Sequence, residues 1–415
     1  MQTARWLALM GWLVLTSGPL LRANEPAADA PRIFQSDGQT LARVRAGVMN
    51  HDPAFEPVVR KLRELAEKDL AGGPYAVTDK KFPAPSGDPH DYVSLAPYFW
   101  PNPDTPDGLP YVRHDGRRNP EIRQYDASRF GAMGGHAYQL ALAYYLTGEP
   151  RYAKRAAILL RIWFLDPATR MNPNLEYAQL VKGVNNGRGT GIIESLRLLD
   201  AIDAVGLLRG SDAWTDHDQK QMGMWIRQYL KWMQQSKNGR DEAAATNNHG
   251  TWYDVQVAAF SLFIGDEAEA KRVIEEARQK RIASQIQPDG SMPRELGRTN
   301  SLGYSVYNLA AMTELADLGR RVGVGLWNYQ TSDGRSIRAA LDYLLPYVMG
   351  RKPWQGQQIS NFNDASVFVP LSRAAAAYHD AKHEEAIKAL KSSERADVID
   401  LLRFPVVDDR SGRGD

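Results

Sequence analysis

Beyond Tyr125 the chain repeats one form: an apolar stretch with helical spacing, a short polar turn, then a more charged stretch. A chain without alternating apolar–polar runs has no half-buried sheet to build on, so this form sets the fold class. Ala137, Leu140, Ala141, Tyr144 and Tyr145 fill positions i, i+3, i+4, i+7 and i+8 of one helix face, and Ala153, Ala156, Ala157 and Leu160 line the next. Further periodic stretches cover about 191–208, 215–236, 251–264, 267–284, 301–321, 335–347, 365–379 and 382–402. The turn Leu146-Thr147-Gly148-Glu149 before Tyr152-Ala153 resembles Phe263-Ile264-Gly265-Asp266 before Ala268 and Ala270, with Tyr378-His379-Asp380 before Glu385-Ala386 as a third copy. Repeated helical hairpins build a solenoid or a closed ring. Irregular spacing and long intervening loops favour the ring, an all-α toroid with a central cleft and its binding surface on the loops at one end.

Two helical runs come earlier, one with Leu41, Val44 and Val48 on a face and one from Val58 to Leu70. Between Gly72 and Pro120 the pattern gives way to a stretch rich in Pro, Gly and Asp, punctuated by Tyr92, Tyr98, Phe99, Trp100 and Tyr111. A loop that long is functional or disordered, and the aromatics argue for order. At the start, Arg5, the apolar run Trp6–Leu15 and the small-residue site Leu21-Arg22-Ala23 read as a secretory signal over 1–23, leaving 24–415 as one catalytic domain. The run is short for a membrane span, so no stable membrane insertion is expected after cleavage, and the protein is placed in the periplasm or outside the cell.

The 415 residues contain no cysteine, which excludes thiolate catalysis, Cys-containing zinc sites and iron–sulfur clusters while permitting an oxidising compartment. A formal charge of +2 gives no sign of a nucleic-acid partner. An acidic ligand would have to be held by a local basic groove.

Three segments carry more polar residues than packing explains. In Thr246-Asn247-Asn248-His249-Gly250-Thr251-Trp252-Tyr253, a helix cap accounts for one asparagine but not for the second, the histidine and the aromatic pair. Histidine is the commonest general acid or base. From Pro288 to Asn308 come Arg294-Glu295, Arg298 and Tyr304-Ser305-Val306-Tyr307-Asn308. A helix starting near Ser301 puts Ser301, Tyr304 and Asn308 on one face, with Arg298 in the preceding loop free to reach the same cleft. The bland alternative is an exposed loop with an Arg–Glu pair and core tyrosines. The third segment holds Asn172, Asn174, Gln179 and the run Gly187-Arg188-Gly189, suited to sugar hydroxyls or a carboxylate, or equally to a glycine-shaped connection. His379 and His383 stand at i, i+4, a metal-binding spacing, but the charges around them favour a solvated helix end. No metal or other cofactor is expected.

Together these segments resemble the alginate lyase family and its relatives acting on other polyuronates. The resemblance runs over about 90–310 through Pro97-Tyr98-Phe99-Trp100-Pro101, Gly108-Leu109-Pro110-Tyr111, Asp115-Gly116, Asn119-Pro120-Glu121, Trp163-Phe164-Leu165-Asp166, Met171-Asn172-Pro173-Asn174-Leu175 and Asn247-Asn248-His249-Gly250. It implies an incomplete (α/α) toroid, here of six to seven hairpin pairs, and a metal-independent β-elimination. Asn248 and His249 match the family's Asn-His pair, and Arg298 and Tyr304 its Arg and Tyr, with Tyr307 as a rival to Tyr304. The expected partner is an acidic polysaccharide.

In that chemistry, loss of the C5 proton spreads charge onto the uronate carboxylate, and donors such as Asn248, His249 and Arg298 stabilise it. Tyr304 removes the proton as phenolate and returns one to O4, its pKa lowered from about 10 by Arg298 and His249. In mannuronate and glucuronate the C5 hydrogen and O4 lie on one side, which suits a single tyrosine. In guluronate they lie on opposite sides, which suits His249 as a separate base. Asn247, Arg188, Arg294, Gln179, Tyr98, Trp100, Tyr111 and Trp252 are the candidate substrate contacts, with loop packing as the alternative for each aromatic. The competing functions are a helical-toroid glycoside hydrolase using an acidic pair such as Asp289 and Glu295, and a non-catalytic periplasmic protein that binds acidic oligosaccharides.

Overall fold

The computed structural model describes residues 30–392 and 398–404, so the expected signal at 1–23 lies outside the described residues. Helices α1 (Gly38–Met49) and α2 (Glu56–Leu70) lead into a loop region, and the run of hairpins starts at α3 (Asp126–Thr147) and α4 (Pro150–Leu160). It continues through α5 (Arg197–Leu208), α6 (Asp216–Gln235), α7 (Lys237–Ala243), α8 (Asn248–Phe263), α9 (Glu267–Ala277), α10 (Pro293–Leu296) and α11 (Ser301–Arg321). The described chain closes with α12 (Ile337–Val348), α13 (Phe368–Tyr378), α14 (Ala381–Ser392) and α15 (Val398–Arg403).

The helices divide into two kinds. In α4 and α9 the buried residues form one stripe, such as Tyr152, Ala153, Ala156, Ala157 and Leu160, while Arg151 and Lys154 face outward. These are outer helices, held by an apolar face. By contrast α8 is buried all round from Gly250 to Phe263, and α11 nearly so. A helix buried on every side must satisfy its polar groups internally. Asp254 of α8 does so by a two-point pair with Arg281, 2.7 Å and 3.1 Å, and Gln256 and Thr251 by bonding Ser195 and Gln285. Helix α8 packs against α6, α9 and α11, α11 against α12 and α13, and α3 against α2, α4 and α5. At the far end α15 returns onto α1 and α2, bringing the two ends of the described ring together. This is the all-α ring of hairpins that the periodicity implied.

The repeated turn is visible in the backbone. Gly148 and Gly265 both adopt left-handed φ, 74° and 83°, at the end of an inner helix, and His379 takes the same conformation (φ 50°) after α13. An acid follows each: Glu149, Asp266, Asp380. His379 is therefore a helix stop at the position glycine fills in the other two copies. His383 differs from the expected solvated end, because its side chain is fully buried beside the Tyr378 ring.

Several boundaries shift. Residues 189–196 form a 3₁₀ segment before α5, and the stretch read as 267–284 is α-helical only to Ala277 before a π-helical turn. The aromatic-rich loop is ordered. Its strand β1 (Val93–Leu95) runs parallel to β4 (Tyr177–Leu180), and β2 (Phe99–Trp100) pairs antiparallel with β3 (Val112–Arg113), Phe99 opposite Arg113 and Trp100 opposite Val112. Val93, Leu95, Ala96, Tyr111, Tyr125 and Val181 give it a small core of its own.

Candidate active site

Each residue of Asn247-Asn248-His249-Gly250 has a distinct task. Asn247 caps α8, its side-chain oxygen accepting the His249 N–H at 3.3 Å. Gly250 permits close passage, since a Cβ there would stand 2.1 Å from the Ala245 carbonyl oxygen and 2.3 Å from Nη1 of Arg281. Asn248, 1% exposed, donates its backbone N–H to Glu295 Oε1 at 2.6 Å and its amide to both Glu295 oxygens, 3.0 Å and 2.8 Å. His249 sets Nδ1 2.6 Å from Glu242 Oε1, a carboxylate carried by the short helix α7 and itself buried. That contact holds the ring and assigns Nδ1 the proton, leaving Nε2 as the basic nitrogen.

The second half of the site comes from the α10–α11 junction. Arg298 lies with its guanidinium carbon 3.7 Å from the centroid of the Tyr304 ring. Its other face of hydrogen-bond donors grips Asp115, Nε to Oδ2 at 3.1 Å and Nη2 to Oδ1 at 2.8 Å. The Tyr304 hydroxyl meets that of Tyr98 at 2.6 Å. Glu295 ties the halves together, because it bonds Asn248 and feels the charges of both Arg298 and His249. The structure thus brings Asn248, His249, Arg298, Tyr304 and Tyr98 to one place.

Arg298 stands at Tyr304 with its donors engaged, bidentate to Asp115; burial raises the Asp115 pKa, but Arg298 outweighs it and holds the carboxyl far below the usual range. One expectation about this cluster needs correction. The Tyr304 phenol is not made more acidic in the resting site. Burial, then the contact with Tyr98, pushes its pKa well above 10, and the partly spent charge of Arg298 offsets this only in part.

The other candidates scatter. Arg188 stacks on the Phe99 ring at 5.0 Å, donates Nη2 to Gln179 Oε1 at 2.8 Å, and leaves Nε buried without a partner. Burial lowers its pKa, and so does the neighbouring Arg113. Gly187 and Gly189 are there for close approach: a Cβ on Gly187 would stand 2.0 Å from the Glu176 carbonyl oxygen. Gln179, buried with φ 51°, is fixed by Ser94, which accepts its N–H at 2.7 Å. Trp100 is half-buried and bonds the Arg117 carbonyl. Tyr111 and Trp252 follow the packing alternative: Tyr111 sits in the small core and bonds Glu121, and Trp252 is buried with its ring 5.2 Å from Tyr307. Tyr307 is correspondingly a packing residue one turn beyond Tyr304. Arg294 is exposed, with no contact to the cluster.

Three carboxylates were given no role in this cluster by the sequence: Glu242, Asp115 and Glu295. Glu242 stands seven residues before His249 on a separate helix, and no spacing rule links them. Asp289 and Glu295 do not form an acidic pair facing a cleft. Asp289 accepts the Ser291 N–H at 2.9 Å in a turn, while Glu295 is turned onto Asn248. Among the described residues no group of three or more His, Cys, Asp or Glu is placed to hold a metal ion.

Comparison with known proteins shows what the chain and its fold are similar to. The family model described as alginate lyase matches residues 76–354. The crystal structure of an alginate lyase from Bacteroides ovatus superposes with a TM-score of 0.87 at 38% identity, covering 91% of this chain and 100% of that one. Alginate lyase A1-III from Sphingomonas species A1 shares the fold at 18% identity, with a TM-score of 0.52 over 78% of this chain and 88% of its own. A histidine-to-alanine variant of A1-III has been solved with a tetrasaccharide bound, at the same identity, coverage and TM-score. No curated protein sequence matches the chain.

Proposed function

This chain belongs to the alginate lyase family and is a polysaccharide lyase, and we propose that it cleaves a polyuronate, alginate rich in mannuronate or glucuronan, by β-elimination at the Asn248–His249–Arg298–Tyr304 cluster. The observation that carries the reading is the stack of Arg298 on Tyr304, a cation over one titratable phenol, with Glu295 linking Arg298 to the Asn248–His249 pair. A uronate carboxylate drawn to Arg298, Asn248 and His249 has its developing enolate charge stabilised there. Each such donor is commonly worth about 3–4 kcal/mol in the transition state.

Tyr304 is the proton carrier for the syn-disposed mannuronate and glucuronate. Being neutral at rest, it acts as base only once ionised, so this route favours alkaline pH. A second role is favoured by the Glu242–His249 contact: His249 is a base oriented by a carboxylate, and Tyr304 a ready acid. That division suits guluronate, where the two protons move on opposite faces. Arg188, with Gln179, Tyr98 and Trp100, supplies further contacts to neighbouring sugars. Binding of a tetrasaccharide by A1-III supports an oligosaccharide-sized site.

Export to the periplasm or beyond fits a polymeric substrate and the expected signal. Among the described residues no helix is long and apolar enough to cross a membrane. The test is to incubate the protein with polymannuronate, polyguluronate and glucuronan and follow the far-ultraviolet absorbance of 4,5-unsaturated ends. Product without such absorbance would favour hydrolysis, and binding without product a carrier.

A further inference from the structure

Glu295 is fully buried, and its described hydrogen bonds all come from Asn248. Its Oε1 takes the Asn248 backbone N–H, and both carboxyl oxygens take the amide nitrogen. The amide oxygen, Asn248 Oδ1, is buried with no partner at all. This arrangement is at odds with the role of Asn248. An amide has donors on one atom and acceptors on the other. Here the donors are consumed by Glu295, and the group left over is a carbonyl oxygen, which repels a uronate carboxylate.

A single proton resolves the conflict. If the Glu295 carboxyl is protonated, its O–H donates to Asn248 Oδ1 once the amide has turned by half a rotation. Oε1 keeps the Asn248 backbone N–H, and Nδ2 comes to the side where Oδ1 now stands orphaned. Every buried group is then satisfied except one amide N–H, which stands where Oδ1 is now buried and is left unpartnered for a substrate carboxylate that reaches it. We propose that Glu295 works in its protonated form, as a positioning residue that turns the Asn248 amide so that its N–H group meets the uronate carboxylate.

The surroundings support this. Burial is the largest influence on Glu295 and raises its pKa, against the opposing Asn248 contacts and the charges of Arg298 and His249. Those two groups face it from the segment after α10 and from α8. Each is backed by a carboxylate, Asp115 and Glu242 respectively, and α11 brings Tyr304 to the other side of Arg298. A bound uronate carboxylate engages Arg298 and adds a negative charge nearby, which favours the proton on Glu295 further.

The inference rests on the lyase reading, and two variants separate the two. Glu295→Gln reproduces the protonated form, its carbonyl accepting the Asn248 N–H and its amide donating to Oδ1. Glu295→Ala removes the device. The measurement is kcat and KM on one polyuronate from pH 5 to 10 for wild type and both variants, with folding checked by thermal melting. The expected result is kcat within about fivefold of wild type for Glu295→Gln and loss of the alkaline fall in activity, so that its profile rises to a plateau. Glu295→Ala should lose about a hundredfold or more, the usual effect of removing an oriented donor. A folded Glu295→Gln as inactive as the alanine variant, or one that keeps the wild-type alkaline fall, would overturn the inference while leaving the lyase intact. Absence of unsaturated product from wild type on every polyuronate would overturn the lyase reading itself.

Discussion

The Arg298 guanidinium carbon lies 3.7 Å from the Tyr304 ring centroid, so the arginine meets the phenol face-on while its hydrogen-bonding edge is committed to Asp115. A cation over a ring interacts more strongly with the phenolate than with the phenol, because ionisation adds negative charge to the π face. Asp115 limits that effect and also fixes the stack. The pair is thus placed but not fully switched on in the resting site.

Replacing Asp115 by Asn should free the charge of Arg298 and remove a negative charge that raises the Tyr304 pKa. The sign follows: a lower pKa puts the phenolate within reach at lower pH. The pH at which polymannuronate cleavage first appears should fall, while kcat at its maximum drops severalfold because the stack loses an anchor. A profile displaced to higher pH would contradict the assignment.

Tyr304→Phe should lower kcat by about a thousandfold or more, within the range for loss of a general acid–base group, with KM changed far less. Steady-state kinetics on mannuronate oligomers provide the check. Full activity in this variant would remove Tyr304 from the mechanism.

Glu242→Gln should keep the fold but release the His249 ring, whose Nδ1 lies 2.6 Å from Glu242. Loss of an orienting partner costs about 10–100-fold at metal-binding histidines, and a loss of that order is expected here. If His249 is the base on guluronate, the loss should be greater on polyguluronate than on polymannuronate. Equal losses would reduce His249 to a carboxylate donor on both substrates.

Gly187→Ala forces a Cβ to 2.0 Å from a carbonyl oxygen and 2.8 Å from the Tyr177 Cα, both backbone atoms that cannot swing aside. The expected cost is about 1–3 kcal/mol, seen as a lower melting temperature. Displacement of Arg188 should also raise KM for long substrates. An unchanged KM would place Arg188 outside the binding path.

Asp218 closes the capping box of α6 and pairs with Arg161, which together hold its pKa near 2 against an ordinary 3.8. A depressed carboxylate stabilises the fold above its unfolded pKa, and that contribution is lost as pH falls through the folded one. Wild type should therefore lose stability relative to Asp218→Asn between about pH 4 and 2. Melting temperatures of the two proteins over that range test it, and parallel curves would refute it.

Much of this molecule is written locally. Helical period, the positions of α3, α8 and α11, the three repeated turns and the capping role of Asn247 all follow from residues within a turn or two of one another. The same locality made Asn248, His249, Arg298 and Tyr304 legible as a set through their resemblance to a known family. Contacts between separate elements were not legible. Glu242 reaches His249 from another helix, Asp115 reaches Arg298 across 183 positions, and Tyr98 reaches Tyr304 across 206. Such pairs leave no period in the sequence, because either partner reads equally well as a solvated charge or a packed ring. Only the packing of the elements puts them in contact, and burial then decides what they do. It raises the pKa of both Glu295 and Tyr304, where local reading gave one no reason to depart from an ordinary carboxylate and expected the other to ionise readily.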